Sequence, residues 1–162
     1  MSQNNTAPHP DLRVHLAAEH AAWQTLLSQL AEEEGALVEG DVDLLQRVNA
    51  GKLSQLNTIG DLTRARLAAL QASGYSADQT GMDHWLSQRG QTEDAARWQQ
   101  LREMEPQAKA INTRIGALID LRLTSTRQAL NVLIQAASTQ GGLYDQAGQT
   151  VAARANKPLA SI

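Results

Sequence analysis

No cysteine occurs among the 162 residues. Disulfides and thiolate chemistry are therefore excluded, and a reducing cytosol is the compartment that this absence fits. Phenylalanine is missing too, and aromatics make up 3% of a chain whose apolar content is an ordinary 42%. A core must then be built from Leu, Ile, Val and Ala, which suits helix packed on helix better than a β-sandwich. Basic charge is nowhere massed: 14 Lys and Arg stand against 17 acidic residues, for a net charge of −3. With no basic stripe to meet phosphates, no nucleic-acid partner is expected. An apolar run of ~20 residues is also lacking, because Asp120, Arg122 and Arg127 interrupt the most apolar stretch, so no membrane insertion is expected. The first residues, MSQNNTAPHPD, have neither the basic start nor the apolar centre of a signal peptide, which makes a cytoplasmic location the expectation.

Spacings that carry chemistry are equally scarce. His15 and His20 are five residues apart and diverge on a helix, while Glu19 and His20 are adjacent and point apart. The Glu-x-x-His pattern of metal sites in helical bundles is absent. There is no glycine-rich phosphate loop, nucleophile elbow or paired-carboxylate pattern. Trp23, Trp85 and Trp98 read most simply as core anchors. The expectation is a protein that binds and does not catalyse, with no catalytic residue, no metal and no cofactor.

What is present is helical periodicity. Residues 1–10, with Pro8 and Pro10, are read as a disordered leader. A first helix should begin near Asp11 and carry Leu12, Leu16, Trp23, Leu26, Leu30 and Leu37 inward. Glu19 and Glu33 fall where that stripe would take apolar residues, which makes the seam imperfect, and the run Glu32-Glu33-Glu34 reads as a solvated helix face. Gly40 and Asp41 read as a stop and a new N-cap. The second helix spans residues 42–72 with Leu45, Val48, Leu56, Ile59, Leu67 and Leu70 inward, and its Gly51 and Gly60 permit either a close contact or a bend. Ser76 and Gln79 match a capping box, predicting a short helix over residues 77–88 with Met82, Trp85 and Leu86. Thr92, Glu93 and Asp94 open a last helix that Pro106 should kink without breaking. Gly141 and Gly142 should stop it, with Leu143 packing back as in a Schellman motif. The fold class is thus all-α: an elongated helical bundle in which a long antiparallel αα-hairpin packs with a short helix and a long kinked C-terminal helix. Residues 11–143 form the helical domain, and residues 144–162 a flexible C-terminal tail.

The stretch over residues 111–137, INTRIGALIDLRLTSTRQALNVLIQAA, carries more apolar surface than one neighbouring helix covers. Ile111, Ile115, Leu118, Ile119, Ala129, Leu130, Leu133 and Ala137 share one face, Leu123 and Ile134 widen it, and Leu121 and Val132 lie well off its centre. The arc is roughly 160° or more, against the ~100° of an ordinary surface helix. Arg122 and Thr126 fall inside it, and no carboxylate occurs between Leu121 and Ala137. Two readings follow: a helix central to a bundle, touching neighbours on several sides, or a face kept in part for an apolar segment of another protein.

The same stretch resembles the FlgN family of flagellar export chaperones. The residues that carry the resemblance are Asn112, Leu118, Ile119, Leu121, Arg122, Leu123, Thr126, Arg127, Ala129, Leu130 and Leu133, followed by the Gly141-Gly142 stop and the Tyr144-Asp145-x-x-Gly148 turn. The leucine-rich, acidic hairpin before them matches in type. The resemblance implies a cytoplasmic chaperone that binds unfolded or C-terminal amphipathic segments of flagellar hook–filament junction proteins, prevents their premature assembly and aids type III export. Components of the export apparatus are further partners of such a protein. It also implies that the client site lies on the last helix, at Leu118, Leu121, Arg122, Ser125, Leu130 and Leu133. The alternative is a scaffolding bundle that dimerises through the same face, so the oligomeric state stays open.

Overall fold

Asp11 starts the first helix. Its carboxylate accepts from the backbone N–H of Arg13 at 3.1 Å, and α1 runs Leu12–Glu39. Gly40, at φ 81°, ends α1 in the left-handed region, where a side chain would be strained, and its N–H reaches the carbonyl of Ala36. One residue later Asp41 caps α2, Val42–Ala72, by accepting from Leu44 N at 2.9 Å. A two-residue turn between long helices makes the expected antiparallel hairpin. The computed structural model describes residues 11–141, with side-chain surroundings through residue 138. Among the described residues there are four helices and no strand. The leader over residues 1–10, the packing of Leu143 and the tail over residues 144–162 lie outside them.

The third helix corrects an expectation. Its N-cap is Asp78, which accepts from Gly81 N at 2.7 Å, and α3 runs Gln79–Arg89. Ser76 does not cap; its hydroxyl donates to the Asp78 carboxylate at 2.7 Å. The ionisable acceptor outcompetes the serine hydroxyl for the helix donors, and those bonds hold the Asp78 carboxyl below its usual range. Gly81 is required here, because a Cβ on it would stand 1.8 Å from the Ser76 carbonyl oxygen. The last helix, α4, runs Thr92–Gly141 and continues through Pro106 without a break. Asp94 reaches back to the N–H of Gln91 at 2.9 Å, which is half of a capping box.

Two apolar clusters hold the hairpin to the first part of α4. One joins Leu12, Leu16, Leu70, Met82, Trp85 and Trp98, so α3 covers that end of the hairpin. The other joins Leu26, Leu30, Ile59, Ala108, Ile111 and Ile115. Trp85 and Trp98 are buried core anchors as expected, while Trp23 is half-buried and packs against both clusters. Each such buried side chain stabilises the fold by about 1.5–3 kcal/mol relative to exposure.

The imperfect seam proves to be a charged one. Glu19, 1% exposed, receives Arg66 Nε at 2.5 Å and the Thr63 hydroxyl at 2.7 Å. Glu33 is buried and receives Lys52 Nζ at 2.5 Å. Glu34, next along, pairs with Arg114, so the acidic run is not simply a solvated face. Leu56, expected inward, is 47% exposed, because the inward positions near it on α2 go to Lys52 and Gln55. Glu19 and Glu33 are two heptads apart on α1, and Lys52 and Arg66 are two heptads apart on α2. A one-heptad slip in one direction would set all four charges against apolar residues, and in the other would still set Glu33 against Ile59 and Arg66 against Leu26. Unpaired buried charges are costly enough to fix the register. A Cβ on Gly51 would stand 3.0 Å from the Gln29 amide nitrogen, the far end of a flexible side chain.

The residues group into two compact units, with the boundary between Leu118 and Ile119.

Candidate partner-binding site

The part of α4 in the first unit has an orderly apolar seam. Leu101, Met104, Ala108, Ile111 and Ile115 recur at steps of three and four, all buried, and Leu118 ends the series half-buried against the second cluster. Near that end, Arg114 grips Glu34 with two bonds, Nε to Oε1 at 2.8 Å and Nη2 to Oε2 at 3.1 Å. The guanidinium holds the Glu34 carboxyl below its ordinary value, and the carboxylate raises Arg114 in turn.

Continuing the same steps past Leu118 meets Arg122, Ser125, Ala129 and Val132. Three of these four lack a large apolar side chain. The bulky residues move to a different phase: Ile119, Leu123, Leu130 and Leu133 recur at steps of three and four when Thr126 is counted with them, and Ile134 lies alongside. At 100° per residue these five apolar residues fall within an arc of about 100°. A stripe of that width and spacing matches one partner helix. Yet every residue from 119 to 138 is exposed. Ile119 is 40% exposed, Leu123 50%, Leu130 54%, Ile134 57% and Leu133 66%. The reading of this stretch as a helix covered by bundle neighbours on several sides therefore does not hold for residues 119–138. It describes Ile111, Ile115 and Leu118 only.

Of the residues expected to bind a partner, Leu121, Arg122, Ser125, Leu130 and Leu133 are all exposed. Leu118 is half-buried and belongs to the edge of the core. Leu121, Arg122 and Ser125 share one side of the helix by their spacing, and Leu130 and Leu133 share the denser stripe with Ile119 and Leu123. Ile119, Leu123 and Ile134 share that stripe and stand outside the expected set. Their signal was available: the steps of four and three that begin at Ile119 lie out of phase with those that end at Leu118. The surface carries little charge, since after Asp120 only Arg122 and Arg127 are ionic through residue 138. Such a surface can hold apolar side chains and offers little to a polar ligand.

Among the described residues, no group of three or more His, Asp or Glu is placed to hold a metal. His20 and His84 each meet a glutamine instead, at 2.8 and 2.7 Å. No described helix is long and apolar enough to cross a membrane. In comparison with known proteins, the model of the FlgN protein family matches residues 10–152. No curated protein and no solved structure matches the chain.

Proposed function

The chain belongs to the FlgN family of flagellar export chaperones, and from that premise we propose that residues 119–138 of α4 hold an amphipathic segment of a hook–filament junction protein before its export. The observation that carries this reading is the exposure of the whole stripe, with Leu133 at 66% and Leu130 at 54%. A junction protein kept unfolded for export presents apolar residues that would otherwise aggregate. An amphipathic segment of it can lie against Ile119, Leu123, Leu130 and Leu133 as a second helix. Arg122 and Arg127 flank the stripe and can meet client carboxylates, which sets register and orientation more than affinity. Folding of the segment on the stripe supplies its own free energy, so the reading needs no nucleotide, metal or cofactor. The protein acts in the cytoplasm as a binder and not as an enzyme, and passes its client to components of the export apparatus.

Leu121→Asp and Leu133→Asp test the site. Each residue is 66% exposed, so both variants should melt within about ±0.5 kcal/mol of the wild type. Leu133→Asp should weaken junction-protein binding about tenfold or more, since a carboxylate forced into an apolar contact loses its water. Leu121→Asp, on the flank, should weaken it less. Unchanged client affinity in both variants would refute the site. A tight dimer that Leu133→Asp splits, together with no client binding by the wild type, would replace it with the scaffold reading.

A further inference from the structure

The exposed part of α4 keeps one spacing from end to end. Ile119, Leu123, Thr126, Leu130, Leu133 and Ala137 recur at alternating steps of four and three, the repeat of a seam along which one partner helix packs. The seam runs ~27 Å at 1.5 Å per residue, about five helical turns. All six side chains are exposed. Five of them are apolar, and the sixth, Thr126, stands in the middle.

That middle position distinguishes one register from the next. A seven-residue slip of a partner carries what faced Leu123 onto Leu130, and leucine replaces leucine. The same slip carries what faced Thr126 onto Ile119 or Leu133, from a hydroxyl to a wholly apolar side chain. A polar residue in an otherwise apolar seam specifies register in this way.

The Thr126 hydroxyl is also uncommitted. Thr25, Thr58 and Thr113, each exposed on its helix, donate to the carbonyl four residues before, at 3.1, 3.1 and 2.9 Å. Thr63 donates to Glu19 at 2.7 Å. Among the described residues Thr126 has no such acceptor, and Arg127 beside it forms no ion pair. The nearest carboxylate before Arg127 on α4, Asp120, stands two turns away, ~10 Å along the axis. Two side chains with unused donors thus sit side by side in the middle of an apolar surface.

We infer that Thr126 sets the specificity of this seam: the client helix carries one Asn, Gln, Asp or Glu among its inward apolar residues, and that side chain accepts from the Thr126 hydroxyl beside Arg127. The inference rests on the reading that residues 119–138 hold a client, and it adds what the client must carry. Covered by a partner helix, a hydroxyl and a guanidinium with no acceptor would lose water without replacement. Registers that put an apolar side chain opposite Thr126 are therefore disfavoured, which is how a site rejects a wrong partner.

The test is calorimetry of the full chain with a hook–filament junction protein. Thr126→Val keeps the branched shape and a similar helix propensity while removing the hydroxyl. At an exposed position it should leave the melting temperature in place. Binding should weaken about tenfold, because the client's acceptor is left buried and unpaired. Thr126→Ser, which retains a hydroxyl, should bind like the wild type. So should Thr124→Val, which lies ~140° round the helix from the middle of the seam. A wholly apolar client would reverse the sign: the Thr126 hydroxyl would turn back on its own helix as Thr25 does, and the added methyl of valine would strengthen binding. Thr126→Val that binds as tightly as the wild type or more tightly, or an equal loss in Thr126→Ser or Thr124→Val, would overturn the inference. The reading beneath it fails separately. Unchanged affinity in Leu133→Asp removes the site itself, whereas a loss there with none in Thr126→Val keeps the site and removes the role of Thr126.

Discussion

The two parts of α4 use similar side chains to opposite ends. Before the boundary, Leu101, Met104, Ala108, Ile111 and Ile115 are buried; after it, Ile119, Leu123, Leu130, Leu133 and Ile134 are exposed. Apolar content therefore does not decide burial. What differs is phase and pairing: the first series meets a hairpin whose leucines repeat at the same steps, and the second series begins one residue out of that phase. Covering five such side chains with a partner would supply on the order of 10 kcal/mol before the costs of association are deducted. That reserve suits reversible holding of a client.

Breaking the packed part should be costly. Glu19→Ala leaves Arg66 buried and uncompensated, and should cost about 3–5 kcal/mol in urea denaturation. Ile115→Ala, at a site 3% exposed, should cost about 2–5 kcal/mol by the same measurement. Asp41→Ala removes the α2 cap and should cost about 1 kcal/mol, read as a lower melting temperature. The Glu34–Arg114 pair sharpens the comparison through pH, because it fastens α4 just before the boundary. The Glu34 carboxyl is held below its ordinary 4.5, so the folded state binds this proton more weakly than the unfolded chain does. The pair's contribution is therefore full above about pH 4.5 and is lost as pH falls through the depressed value. Wild type and Arg114→Ala should differ in melting temperature at neutral pH and converge in acid.

Much of the packed part was legible in the chain. The leucine steps, the Gly40-Asp41 turn and the uninterrupted spacing across Pro106 are local signals, and local signals set helices. Three features were not legible, because each depends on a partner distant in sequence. Glu19 and Glu33 read as flaws in a stripe until Arg66 and Lys52 stand opposite them. Leu56 read as core because periodicity along α2 alone does not show that Lys52 and Gln55 take the inward places. Ser76 read as a cap because the spacing to Gln79 fits, whereas Asp78 offers the stronger acceptor. For the candidate site, the helix and its surplus of apolar residues were legible from periodicity alone. The division at Leu118 separates surplus from core, and it required knowing which residues the hairpin reaches.

Hydrogen exchange along α4, measured in the free protein and after adding a hook–filament junction protein, tests the central claim most directly. Amides of residues 101–115 sit over buried side chains and should be protected in both states. Amides of residues 119–138 should exchange faster in the free protein and gain protection when the client is bound. Protection over residues 119–138 that is unchanged by a bound client would contradict the account.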